Sequence, residues 1–169
     1  MNDGVQVTTV RFTLNGDQAS LPVRPDETVL ETLRESLGIR SVRGSCGIGM
    51  CGTCTVLVDG RVASSCLLLT RQVDGRTLVT SEGLVADDGR LDEVQDAFVR
   101  TGAYQCSFCI PAMVLTVRAY LDEHPDGDVS QAREYLGGNL CRCGSYPQVL
   151  DAVGDLIDGT DAARSRDHG

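Results

Sequence analysis

The sequence predicts an α+β chain, with a β-rich N-terminal half followed by a helical C-terminal half. Three observations predict it. Apolar residues recur every second position up to roughly residue 82, and every three to four positions beyond it. Two tight-turn dipeptides, Asn15-Gly16 and Asp59-Gly60, punctuate the first half. Eight cysteines fall into two blocks of four, one in each half. A length of 169 residues suits one domain or two small ones, and the two blocks favour two.

In chain order, Val10, Phe12 and Leu14 alternate with polar residues, Asn15-Gly16 turns the chain, and Leu21 and Val23 continue a return strand. Thr28 with Glu31 three positions later is a capping-box signature. Behind it Val29, Leu30, Leu33 and Leu37 make one helical face, and Gly38 is a stop. The glycine-rich loop RGSCGIGMCGTC follows, then the strand TVLVDG, a return strand carrying Cys66, and a further strand at RTLVT (76–80). A strand hairpin, one helix and a cysteine loop predict a small ferredoxin-like β-grasp domain over residues 1–82. In the second half Leu91, Val94, Ala97 and Phe98 form a helical stripe, as do Ile110, Met113, Val114, Val117 and Leu121. Ser130 is positioned to cap a short helix that Gly137-Gly138 ends, and Ser145 and Pro147 open another, with Val149, Leu150, Val153, Leu156 and Ile157 on its apolar face. These segments predict a compact four-helix domain over residues 83–158. Residues 159–169 are polar and aperiodic and are expected to form a disordered tail.

The cysteines carry the chemistry. Cys46, Cys51, Cys54 and Cys66 are spaced C-x4-C-x2-C-x11-C, and Cys106, Cys109, Cys141 and Cys143 are spaced C-x2-C-x31-C-x-C. A [2Fe–2S] cluster needs four thiolates, two for each iron, and C-x4-C-x2-C…C is the plant-type ferredoxin spacing. Glycines 44, 47, 49 and 52 let the backbone curl around such a cluster and aim N–H groups at its sulfurs. Structural zinc prefers two short cysteine knuckles, so the first block favours iron–sulfur over zinc. The second block, on spacing alone, leaves zinc and iron–sulfur both open.

Flanking residues decide between them. CGIGMCGTCTV (46–56), QCSFCIPAMV (105–114) and GGNLCRCGSYPQV (137–149) resemble the iron–sulfur subunit of the molybdenum hydroxylases, the xanthine dehydrogenase and aldehyde oxidoreductase family. The resemblance covers residues 6–158 and the order and spacing of all eight cysteines. It implies a β-grasp ferredoxin domain and a four-helix domain, each binding one [2Fe–2S] cluster. It also implies a large molybdenum–pterin subunit and a medium FAD subunit as partners, in a heterotrimer or its dimer. On that resemblance Cys46, Cys51, Cys54 and Cys66 hold the cluster nearer the flavin. Cys106, Cys109, Cys141 and Cys143 hold the one nearer the molybdenum, Gln105 hydrogen-bonds the pterin, and Cys143 lies closest to it. Three positions depart from the usual pattern: Ser107 and Ala112 stand where glycine is common, and Gly144-Ser145 replaces Thr-Gly.

Other features bound the reading. A net charge of −9 argues against nucleic acid as a partner. No apolar run approaches the roughly 20 residues that span a bilayer, and the start MNDGVQVTTVRF lacks an apolar export core and twin arginines, so a cytoplasmic location is expected. His124 and His168 are read as solvated, Asp87-Asp88 and Asp122-Glu123 as exposed faces, and Met50 and Met113 as packing residues. Arg142 is as consistent with offsetting cluster charge or meeting a cofactor phosphate as with simple exposure. No nucleophile–base pair, P-loop or dinucleotide fingerprint is present, so no catalytic residue is assigned to this chain. Two other classes compete, a free-standing two-cluster ferredoxin and a zinc-stabilised scaffold.

Overall fold

Two tight turns build most of the sheet. The computed structural model describes residues 6–166. β1 (Thr8–Leu14) and β2 (Asp17–Val23) pair antiparallel from Thr8↔Val23 to Leu14↔Asp17. The turn places Asn15 and Gly16 at φ 53° and 93°, as a two-residue hairpin requires. Asp59-Gly60, at φ 50° and 82°, joins β3 (Thr55–Val58) to β4 (Arg61–Ser64) in the same way. β5 (Thr77–Val79) lies parallel to β1 and antiparallel to β3, giving the order β2-β1-β5-β3-β4. Strand alternation turns Val10, Phe12, Val56 and Leu78 inward, where they pack with Val29, Leu33, Val42 and Val73.

The Thr28–Glu31 capping box forms as expected, but the helix behind it is short. α1 (Val29–Glu31) passes at once into a wider π-turn over Thr32–Ser36. The widening begins at Thr32, whose buried hydroxyl is tied to Glu27 Oε1 at 2.7 Å and Thr70 Oγ1 at 2.8 Å. Gly38, at φ 70°, ends it.

The second half holds α2 (Glu93–Arg100), α3 (Ile110–Glu123), α4 (Val129–Tyr135) and α5 (Tyr146–Arg166). Their apolar faces meet around Phe98, Met113, Val117, Tyr120, Val149 and Val153. Three sequence expectations shift. Leu91 precedes α2 and is exposed, so it is no part of the stripe. α4 is capped by Asp128, whose carboxylate accepts the Gln131 N–H at 2.9 Å, while Ser130 sits inside the helix. α5 continues to Arg166 instead of giving way to a tail at 159; residues 167–169, with His168, lie outside the described residues. Ala162 and Ala163 are strong helix formers, and one glycine at 159 does not stop a helix already propagating.

A third apolar cluster joins the halves: Leu57 of β3 packs on Leu115 and Ala119 of α3, with Val79, Leu84 and Tyr135 around them. Among the described residues no helix is long and apolar enough to cross a membrane.

Candidate functional site

Both cysteine blocks lie on non-repetitive backbone held between regular elements. The first spans the loop from the end of the π-turn to β3, with Cys54 buried one residue before the strand. Cys66 lies two residues past the end of β4, so the return strand delivers it without containing it. Backbone N–H groups of Ile48, Cys51 and Met50 point at the Cys46 sulfur, which also meets the Cys51 thiol; together they bring the Cys46 thiol down to about 6. Cys66 moves the other way, raised by burial, by the Cys54 thiol and by the charges of Cys54 and Cys46, against the Gly49 N–H. Cys51 Sγ lies 3.2 Å from Thr53 Oγ1. The four thiols therefore gather as two pairs, Cys46 with Cys51 and Cys54 with Cys66.

The second block brings together residues from two distant stretches. Cys109 is the N-cap of α3, and Cys141 and Cys143 occupy the turn before α5. Cys106 is exposed and its thiol is lowered, first by the Phe108 N–H and then by the Cys143 thiol. Cys109 is buried and its thiol is pushed up to about 12, by burial first and then by the Cys141 thiol. Desolvation outweighs the start of α3, which by itself would favour the thiolate. The pairs are Cys106 with Cys143 and Cys109 with Cys141. Tyr146 organises the turn: its hydroxyl donates to Asn139 O at 3.0 Å and accepts the Cys141 N–H at 2.8 Å.

A latch joins the two loops. Leu140 N donates to Cys51 O at 2.9 Å, one residue before Cys141. Buried Asn139 donates to Gly52 O at 3.0 Å and accepts from Thr116 Oγ1 at 2.9 Å. Gly52 has φ 66°, and a Cβ there would lie 2.3 Å from Gly138 O, so only glycine fits. Arg43 adds a link, donating to Ser107 O and lying 5.3 Å from the centre of the Phe108 ring. The sequence motifs contain Arg43, Asn139 and Tyr146 without marking any of them out, and Thr116 lies outside them. Gly52, between Cys51 and Cys54, is the available signal of a tight approach.

Gln105 is exposed and its Nε2 donates to Cys143 O at 3.0 Å, which sets it beside the exposed edge of the second block. Arg142 lies exposed on the wall of the cavity of about 540 Å³ that also contains Cys106, Cys109 and Cys141. His124 ends α3 with its ring 5.2 Å from that of Tyr120 and 5.9 Å from that of Tyr135, far from the thiol turn in the chain. Exposed apolar side chains border both blocks: Ile48, Met50 and Leu67 at the first, Tyr104, Phe108 and Leu140 at the second.

The donor set fits iron–sulfur chemistry. Four thiols in two pairs match two bridged irons, with two thiolates on each. Backbone N–H groups at the sulfurs supply the hydrogen bonds that stabilise the cluster's negative charge. The fold and its two thiol sets are those of a two-cluster iron–sulfur electron carrier.

Comparison with known proteins fixes the family. Residues 12–83 match the 2Fe-2S iron-sulfur cluster binding domain and residues 80–154 the [2Fe-2S] binding domain. The nicotinate dehydrogenase small FeS subunit of Eubacterium barkeri is 40% identical over 86% of this chain and 92% of its own length. The xanthine dehydrogenase iron-sulfur-binding subunit of Escherichia coli O157:H7 is 38% identical over 89% and 94%. The crystal structure of quinoline 2-oxidoreductase from Pseudomonas putida 86 superposes with a TM-score of 0.86 at 38% identity, covering 95% of this chain and 98% of the matched one. The chain belongs to the iron–sulfur small-subunit family of the molybdenum hydroxylases. It is an electron-transfer subunit of a multi-subunit oxidoreductase and carries two [2Fe–2S] clusters.

Proposed function

We propose that Cys46, Cys51, Cys54 and Cys66 hold one [2Fe–2S] cluster and Cys106, Cys109, Cys141 and Cys143 the other, as a two-step electron wire between two partner subunits. The chain divides near residue 82 into a β-grasp half and a helical half, one for each cluster. The helical half faces a large molybdenum–pterin subunit and the β-grasp half a medium FAD subunit, in a cytoplasmic heterotrimer or its dimer. Substrate oxidation belongs to the large partner, acting on an aldehyde, an N-heterocycle or a related small molecule. Relatives named for nicotinate and for xanthine resemble this chain almost equally, which fits substrate choice lying elsewhere.

The pairing of the thiols carries this reading. When bound, each cluster supplies a reversible electron store whose potential the surrounding protein sets. The chain's own residues supply the thiolates, orient them, and hold the two loops in one register through the Cys51–Leu140 hydrogen bond. Gln105 and Cys143 form the edge that meets the pterin: Gln105 is exposed, and its amide is oriented by the Cys143 carbonyl.

Anaerobically purified complex should contain iron and acid-labile sulfide, and should give two distinct [2Fe–2S] signals by EPR after dithionite reduction. Cys106→Ala should abolish one signal and leave the other. Zinc in place of iron and sulfide would defeat the assignment. So would a lone chain, separated by size-exclusion chromatography, that carried all the activity.

A further inference from the structure

The first turn of α5 begins with a serine that does not do what a serine there usually does. Ser145 stands at the N-cap position, and its carbonyl accepts the Val149 N–H at 3.0 Å. Its hydroxyl would ordinarily turn to an N–H of that first turn. Instead Ser145 is 1% exposed and its Oγ has no hydrogen-bond partner, the only such buried side-chain atom among the described residues. Leaving a buried hydroxyl unpaired is unfavourable, so this one marks a group that completes its bonding with something else.

Sulfur is what lies beside it. The Ser145 N–H reaches Cys141 Sγ at 3.4 Å. The Cys141 backbone N–H is taken up by Tyr146 and cannot serve its own sulfur. Gly144, at φ 79°, makes the turn that folds Ser145 back over the sulfur. The Gly144-Ser145 pair thus places a buried hydroxyl at the start of α5, on the residue whose N–H reaches Cys141 Sγ.

We propose that Ser145 is a positioning residue for the second cluster: its hydroxyl donates to the Cys141 thiolate once the cluster is bound, and raises that cluster's reduction potential above that of a chain with glycine or alanine at this position. The inference rests on Cys141 being a ligand. Its sign follows from charge: the reduced cluster carries one more electron, and a donor at the sulfur favours the more negative state.

The test is a redox titration of the assembled complex, followed by EPR, in wild type, Ser145→Ala, Ser145→Gly and Ser145→Thr. In the alanine and glycine variants the signal that Cys106→Ala abolishes should move to lower potential, with a several-fold fall in its reduced-to-oxidised ratio at the wild-type midpoint. The other signal should not move, and threonine should restore the wild-type value. An unchanged midpoint, equal movement of both signals, or a threonine variant that behaves like alanine would overturn the proposal. Failure of both the alanine and glycine variants to retain the second cluster would also overturn it, since a tuning hydroxyl is not needed for assembly. Absence of iron and sulfide from the wild-type complex would instead sink the ligand assignment beneath it.

Discussion

Ser107, between Cys106 and Cys109, holds a left-handed backbone at φ 61°. That conformation costs an ordinary residue about 1 kcal/mol or more and glycine almost nothing. The departure from glycine that was legible in the sequence is therefore a local strain, tolerated while Arg43 holds the Ser107 carbonyl. Ser107→Gly should raise stability by up to about 1 kcal/mol in denaturant unfolding, part of the relief being lost to the greater freedom of the unfolded chain. Ala112 has the opposite character: it is buried inside α3, where alanine is the better residue. Ala112→Gly should cost about 1 kcal/mol in the same measurement. Glu82 has a consequence for pH. Burial works against its charge, but hydrogen bonds from Ser41 and Thr80 prevail and hold its carboxyl below the ordinary range. A lowered folded value gives a contribution that is complete above the unfolded value, about pH 4.3, and is lost as pH falls through the folded one. Wild type should therefore exceed Glu82→Gln in stability at neutral pH, and urea titrations should show the gap closing below about pH 4.

Among the elements, those governed by local chemistry were readable in advance. Asn15-Gly16 and Asp59-Gly60 specified two hairpins, and the Thr28–Glu31 box specified a helix start. Errors arose where a local rule had two candidates or a distant contact intervened. Asp128 and Ser130 are both good caps, and Asp128 prevails because Gln131 completes a reciprocal box with it. Asp128→Ala should accordingly cost about 1 kcal/mol, whereas Ser130→Ala should stay within about 0.5 kcal/mol by thermal unfolding. The helix after Thr28 widens at Thr32, whose hydroxyl is tied to Thr70, 38 positions further on, a contact no local pattern reveals. For the site the division is the same. Cysteine spacing singles out the eight thiols, because their grouping is written in the chain itself. Asn139, Thr116 and Tyr146 act across sequence gaps and only the fold brings them together.

At the scale of the whole molecule, two apolar cores are joined by a small third one and by the latch between the cysteine loops. Leu115→Ala should cost about 2–5 kcal/mol, since it empties a buried site at the junction. Bound metal also belongs to the folding equilibrium. Stripping the clusters by chelation under reducing conditions should speed hydrogen exchange in the loops around 44–54 and 137–146, while the β1–β5 pairing stays protected. The position of Gly52 has a further consequence, for recombination between relatives. Its missing side chain is the socket into which residues 138–139 fit. A chimera that takes its first half from this chain and its second from another should lose part of this seam if the donor lacks an asparagine at the place of Asn139. The compatibility of two such halves thus turns on the few residues that meet at this seam and across the Leu57–Leu115 contact more than on their overall identity.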